Sequence, residues 1–390
     1  MKTIGIITSN TSFRNNYGAV LQSYALCEQL KKWGYDPKVI NYTYSGGKNM
    51  IAMNTTQKRT AGSVFRYLCS GEVSLLQKIH HRLSRGKRQQ MEQRFVDFYK
   101  RYIPLHSDIP VNYGSLCADP LGFDFYITGS DQVWNPVIHG NDNDPGCFLQ
   151  FAPEKEKRIA YAPSFGIGDY PQELAASLKT YIGSMGWLSV REPEGQRILR
   201  KYAAVEVPLV LDPTLMADED VFDPISAEVQ GLPKEYILCY RFGKESYWKE
   251  TVRQLSKVLK LPVVELPLSI EAYAKGTRLR YDIDPAKFIG AIRGAKLVVT
   301  DSFHCTVFAV LNHVPFYTLM RQSRDAKHNM NGRMVHLLEM LGLQNRMVNA
   351  QSKLVFDRES VLKVEFTHAD AILAREREKS QHYLKTALES

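Results

Sequence analysis

The stretch Ala295–Leu311, AKLVVTDSFHCTVFAVL, constrains the fold more than any other part of the chain. Lys296–Thr300 reads as a short buried strand, a compact β-branched run ended by a polar break. Phe303–Leu311 reads as an apolar helix starting only three residues later. A strand buried on both faces and followed at once by an apolar helix belongs in a parallel sheet covered by helices. Asp301, Ser302 and His304 then stand at the carboxyl end of that strand, where open α/β sheets take their ligands. Asp301 or Ser302 can cap the helix, whose free N–H groups and partial positive charge suit an anion. His304 is the side chain here that exchanges a proton near neutral pH without a large shift. The alternative is a capped helix with a hydrogen-bonded structural histidine.

Strands and helices alternate along the rest of the chain. Thr3–Thr8 reads as a strand, Gly18–Lys32 as a helix stopped by Gly34, and Lys38–Tyr42 as the next strand. No G-x-G-x-x-G accompanies this unit, so a dinucleotide is not supported. Asp124–Thr128, Arg158–Ala162, Trp187–Val190 and Val207–Leu211 follow as strands. A second set opens after Asp212-Pro213: strands at Glu235–Tyr240, Pro262–Leu266 and Pro315–Leu319, and helices at Ser246–Leu259, Asp284–Arg293 and Arg333–Leu341. A last helix, near His368–Leu388, is placed to cross back onto the first domain. The expectation is two Rossmann-like α/β domains facing a cleft, residues 1–213 and 214–364, with residues 365–390 as the returning helix.

With 390 residues, 44% of them hydrophobic, the chain can bury two ordinary cores. No run reaches the length of a membrane-spanning helix, and the first residues are too short an apolar stretch for a signal peptide. Six cysteines form no C-x-x-C pair, which argues against a zinc knuckle or disulfide framework and for a reducing, cytoplasmic setting. No metal site is expected. The formal charge of +9 is unevenly placed: Lys78–Arg101 holds eight Lys or Arg against Glu92 and Asp97, a local +6. This basic helical insertion, near 58–104, can place Phe95, Phe98 and Tyr102 on one face. It suits an anionic membrane surface, at the inner face of the membrane, or an acidic acceptor; otherwise it is a solvated face. No recognition module for nucleic acid accompanies it.

Several motifs together give a more specific resemblance. NYGAVLQSYAL at Asn16–Leu26, YITGSDQVWN at Tyr126–Asn135, RIAYAPSFG at Arg158–Gly166 and LSVRE at Leu188–Glu192 are four of them. LDPTL at Leu211–Leu215, VVTDSFHCTVFAVLNHVPF at Val298–Phe316 and NGRMVHLLEMLGL at Asn331–Leu343 complete the set. In order and spacing they resemble the polysaccharide pyruvyl transferase family over nearly the whole chain. The resemblance implies a GT-B-like fold. It also implies transfer of the enolpyruvyl carbons of phosphoenolpyruvate onto two hydroxyls of a glycan sugar, lipid-linked or free, as a cyclic ketal. Phosphoenolpyruvate is then a donor substrate, and no cofactor is expected. The family's catalytic histidine falls on His304, although Ser302 and Cys305 depart from the usual neighbours. The arginine of its S-x-R-(E/D) motif falls on Arg191.

The residues can be weighed against that chemistry. A donor with a phosphate and a carboxylate calls for arginine, whose planar fork pairs with both. Arg191 is the first candidate, against an ion pair with Glu192 or Glu194. Arg333 is the second, against a helix-start contact. Arg241 and Lys244 follow a strand end and are geometric candidates. After Gly129, Ser130 or Asp131 can cap or bind sugar hydroxyls, and Asp131 stands beside His304 as a catalytic candidate. Trp134 offers a face to a pyranose or fills the core. Asn16, Tyr17 and Gly18 contact substrate or merely end a strand. A nucleotide-sugar glycosyltransferase would share the architecture, but no two glutamates here stand eight apart, as many of its retaining members require. A catalytically silent glycan-binding protein is the third class.

Overall fold

A computed structural model of the protein describes residues 1–9, 16–44, 75–243, 245–268, 277–321, 331–352 and 355–390. Thr3–Ile7 (β1) is the centre of the first sheet, with Ile4–Ile7 buried. After it runs the helix Tyr17–Lys32 (α1), started by Asn16, whose side chain accepts from Ala19 N at 3.3 Å. β1 pairs in parallel with Asp36–Val39 (β2) and, on its other edge, with Phe125–Thr128 (β3). β3 carries Arg158–Ala160 (β4), giving the order β2-β1-β3-β4. The segments expected as strands at Trp187–Val190 and Val207–Leu211 add only single parallel bridges, Ile159↔Trp187 and Val190↔Leu209. Pro208, with no N–H to donate, limits pairing there.

The second sheet is also wholly parallel. Ile237–Tyr240 (β5), Val263–Leu266 (β6), Thr277–Leu279 (β7), Leu297–Thr300 (β8), Phe316–Leu319 (β9) and Met347–Val348 (β10) stand in the order β10-β9-β8-β5-β6-β7. The edge strands β7 and β10, of three and two residues, were not expected, because so short a run carries no period. The intervening helices cover both faces. Every residue of β5, β6, β8 and β9 is buried, as unbroken apolar strands require.

The helices set the two sheets together. Between β2 and β3 stand Leu75–Leu83 (α2) and Arg85–Tyr102 (α3), a helical corner at Ser84 where one continuous basic helix was expected. Arg88 holds the corner, donating to the His81 carbonyl at 2.6 Å. Phe95 and Phe98 are buried and Tyr102 half-buried, the shared face foreseen. Residues 58–74 of the expected insertion lie outside the described residues. Ala175–Gly183 (α4) and Pro193–Ala203 (α5) pack by the first sheet, and Ser246–Leu259 (α6) by the second. Pro285–Arg293 (α7) begins with its proline and is capped by Asp284, as expected. Phe303–Leu311 (α8) is buried from Phe303 to Val310. Gly332–Met340 (α9) follows, and Thr367–Glu389 (α10) ends the chain.

Helix α10 does cross back. Its Tyr383 hydroxyl donates to Ala160 O at 3.2 Å, and its Ser380 Oγ accepts from Leu211 N at 2.9 Å. Two Rossmann-like halves therefore face one another. They meet over α1, which is buried along most of its length. Among the described residues no helix is long and apolar enough to cross a membrane.

Tyr17, first residue of α1, joins the halves. Its ring lies 4.2 Å from that of Phe288 at an interplanar angle of 9° and contacts Tyr240 and Phe95. Its hydroxyl donates to Ile283 O at 2.7 Å. Tyr17→Ala should lower unfolding free energy by about 3–5 kcal/mol, measured by urea denaturation. A loss under about 1 kcal/mol would show that the stack does not hold the halves together.

Candidate active site

The site grows from three chain segments whose ends meet at one carboxylate. Asp212 begins the helical turn Pro213–Met216, and its Oδ1 accepts from Thr214 N at 3.0 Å and Thr214 Oγ1 at 2.6 Å. Its Oδ2 accepts from Arg191 Nη1 at 2.6 Å and Ser130 Oγ at 3.0 Å. His304 Nε2 lies 3.4 Å from the same oxygen, without the angle of a hydrogen bond. The Asp212 side chain is wholly buried. Burial pushes its carboxyl up, but His304, Arg191 and Thr214 outweigh burial and hold it well below the usual carboxylate range. Asp212 lies in the LDPTL motif, yet it was not singled out, because a carboxylate before a proline reads only as a cap.

Around Asp212 stands an ion cluster. Arg191 also meets Asp131 Oδ1 and Glu192 Oε2, each at 3.4 Å, and its guanidinium lies 4.9 Å from the Phe303 ring centre. Burial would lower its pKa, but Asp212, Glu192 and Asp131 raise it, so it stays charged. Glu192 is held by Ser164 Oγ at 2.6 Å. Arg333 contributes a second guanidinium, 3.9 Å from Asp131. Burial and the Arg191 charge pull Arg333 down to about 10, still a cation at neutral pH. Its Nε is buried with no hydrogen-bond partner. Arg191, with its side chain 2% exposed, is thus committed to three carboxylates, whereas Arg333 keeps a free donor.

Two backbone features place these groups. Gly129 has φ +124°, and a Cβ there would lie 1.9 Å from Tyr161 O; Asp131 follows at φ +60°, where Asp is tolerated better than most residues. At Gly18 a Cβ would lie 2.1 Å from His304 Nδ1. Gly18 is therefore required for α1 to press its first turn against the His304 ring. A cavity of about 230 Å³ opens beside the cluster, lined on its polar side by Arg191, Asp212, Arg333, His336 and Glu376. Phe303, Leu211 and Met340 are among its apolar walls. Burial lowers the His336 pKa, against Glu194 and Glu192, which raise it.

The structure sorts the sequence candidates. It brings together His304, Asp131, Ser130, Arg191, Arg333 and Gly18. Ser302 is the α8 cap, its Oγ accepting from Cys305 N at 3.4 Å. Asp301 turns away and accepts from Phe242 N, Gly243 N and Arg321 Nε at 2.8, 3.0 and 2.7 Å. Asn16 caps α1, and Tyr17 is a packing residue between the halves. Arg241 is buried and bonded to Glu265 on the adjoining strand, which pairs in register with Cys239, two residues before Arg241. Trp134 is a core residue, 1% exposed, stacked 5.1 Å from Phe148, and its indole N–H donates to Cys147 O at 3.0 Å. Lys244 lies outside the described residues. Among those described, no group of three His, Cys, Asp or Glu could hold a metal ion.

A family model described as Polysaccharide pyruvyl transferase matches residues 16–323. No curated protein matches the chain. Solved structures that resemble it include a UDP-GlcNAc 2-epimerase from Methanocaldococcus jannaschii, with 11% identity over 99% of this chain and 100% of that one and a TM-score of 0.48. Another is the glycosyltransferase SnogD from Streptomyces nogalater, with 11% identity, 100% and 98% coverage and a TM-score of 0.39. A Rickettsia bellii UDP-N-acetylglucosamine 2-epimerase gives 9% identity, 100% and 97% coverage and a TM-score of 0.43.

The ion cluster makes two stability predictions. Arg191→Met strands three carboxylates and should cost about 3–5 kcal/mol. Arg333→Met removes a charge that burial disfavours, so its denaturation midpoint should match or exceed the parent's. Equal losses in the two would refute this division. Because Asp212 titrates lower folded than unfolded, its stabilisation is present above about pH 4 and fades as pH falls below that. The stability gap between parent and Asp212→Asn should therefore narrow on acidification from about pH 5 to pH 3.

Proposed function

The chain belongs to the polysaccharide pyruvyl transferase family, and from that premise we propose that it moves the enolpyruvyl carbons of phosphoenolpyruvate onto two hydroxyls of one glycan sugar. The product is a cyclic pyruvate ketal with release of phosphate. The observation that carries this reading is a histidine facing a buried carboxylate beside a cavity that two guanidiniums border. In atom balance, the donor methylene gains one proton, two hydroxyl oxygens bond to the adjacent carbon, and the C–O bond to phosphate breaks. The two hydroxyl protons supply the new methyl group and the leaving phosphate.

Each residue has a part in that balance. His304 delivers the proton to the methylene, which places positive character on the neighbouring carbon for attack. Asp212, 3.4 Å from His304 Nε2, sets the ring's orientation. Arg333 offers its unpartnered Nε–H to the donor's anionic end. Arg191 holds Asp212 and Asp131 in place, and its role is positional more than ligand-binding. Asp131 at the cluster edge is suited to orient an acceptor hydroxyl. The apolar walls exclude water, which would otherwise hydrolyse the activated donor. In this reading the guanidiniums neutralise the donor, so a chelator should leave the rate unchanged.

The test is to incubate the protein with phosphoenolpyruvate or a nucleotide sugar and a set of glycosides, following mass and phosphate. A pyruvate-ketal mass gain with one phosphate released is expected; glycosyl transfer from the nucleotide sugar would overturn the reading. His304→Gln should lower turnover by about 10²–10⁴-fold while the chain still folds, checked by circular dichroism. Arg333→Lys should raise the donor KM more than it lowers kcat, because the charge stays and the fork is lost. Near-parental activity in His304→Gln would remove it as the acid.

A further inference from the structure

The α2–α3 corner has no task in the chemistry above, and its surface combines two features that soluble helices seldom show together. Between Glu72 and Glu92 the sequence has five Lys or Arg and no carboxylate. On the corner itself Arg82, Arg85 and Lys87 are exposed. Beside them are two large apolar side chains in solvent: Ile79, 47% exposed, and Leu83, 79% exposed. They are four residues apart on α2, hence on one face of it. Exposed Leu and Ile flanked by long cationic side chains match the boundary between lipid headgroups and acyl chains. There the apolar groups enter and the Arg stems reach back to phosphate.

The corner is built to stay in shape. Ser84 is buried at the bend, and Arg88 Nη1 reaches the His81 carbonyl at 2.6 Å and Ser84 Oγ at 3.4 Å. Beyond it α3 runs as one helix to Phe95, whose ring lies 4.7 Å from that of Tyr17. Tyr17 precedes Gly18, which abuts His304. From Arg85 to Phe95 is ten residues, about 15 Å of helix. A surface contacted by the corner is thus set at a short, fixed distance from the active site.

We propose that the α2–α3 corner docks on an anionic phospholipid bilayer, with Ile79 and Leu83 entering the interface and Arg82, Arg85 and Lys87 pairing with headgroup phosphates. The neighbouring Arg94, Lys100 and Arg101 are not part of the contact. Arg94 donates to Tyr281 O, and the other two lie at the far end of α3. The proposal stands apart from the reaction, because docking is read without turnover.

Full-length protein is sedimented with vesicles of equal parts phosphatidylglycerol and phosphatidylcholine, or of phosphatidylcholine alone. Binding to the anionic vesicles, weakened by salt, is expected, with little to the neutral ones. Arg82→Glu with Arg85→Glu and Lys87→Glu should lower the partition coefficient by at least about ten-fold. Ile79→Ser with Leu83→Ser should lower it by about ten-fold while keeping every charge. All five sites are exposed, so unchanged melting temperatures will show that the variants fold. Absence of parental binding to anionic vesicles would overturn the proposal. So would loss in the charge variant with full binding in the apolar one, which would mark the corner as a site for an acidic polymer.

Discussion

The buried carboxylate of Asp212 is the constraint on which the rest of the site depends. An ionised group with no solvent is tolerable only if donors or cationic groups surround it, and here its polar neighbours come from four parts of the chain. Ser130 arrives from the end of β3, Arg191 from the sheet fringe, Thr214 from the turn that Asp212 itself caps, and His304 from the other half. The residue before it is pinned as well: Leu211 N donates to Ser380 on α10, and Leu211 O accepts from Tyr161. The returning helix thereby fixes the carboxylate's position. Misplacing any one of these elements would leave a buried charge short of a partner, which ties fold and site to the same interactions.

Charge is divided unevenly between the two arginines. Arg191 meets Asp131, Glu192 and Asp212, so its charge is spent inside the protein. Arg333 has a carboxylate only at 3.9 Å, an orphaned Nε, and a pKa pulled down to about 10 by burial and by Arg191. A cation kept in such a place costs stability, because burial and a like charge both disfavour it. The sequence alone ranked Arg191 above Arg333; the surroundings differ in that Arg191 meets three carboxylates while Arg333 keeps an unpartnered Nε.

Close packing at α1 carries the same logic into the architecture. The helix is buried between the halves, with Tyr17 stacked on Phe288 of one and tilted against Phe95 of α3 in the other. Its next residue must be glycine for the His304 ring to fit. One turn of helix therefore joins the halves, shapes the histidine's surroundings and receives the rod of α3 from the basic corner.

Much of the fold was legible in the amino-acid order. The strand at Leu297–Thr300 and the helix at Phe303–Leu311 follow from local hydrophobic period and capping, as do the Asp284 cap and the ends of α6. Such signals depend on neighbours a few residues apart, so they survive without tertiary context. His304 could be found the same way, because its setting is a strand end and a helix start. Asp212 could not, since its partners Ser130 and His304 are 82 and 92 positions away. Nor could Trp134 be told from a sugar platform, or Arg241 from a cleft residue, until a stacked phenylalanine and a glutamate on the adjoining strand came into contact with them. The sequence determined most of the strands and helices, the shortest edge strands excepted, because period and capping are local. Only the tertiary structure decided which charges meet, because Coulomb and hydrogen-bond partners are chosen by distance in space, and burial then sets what each is worth.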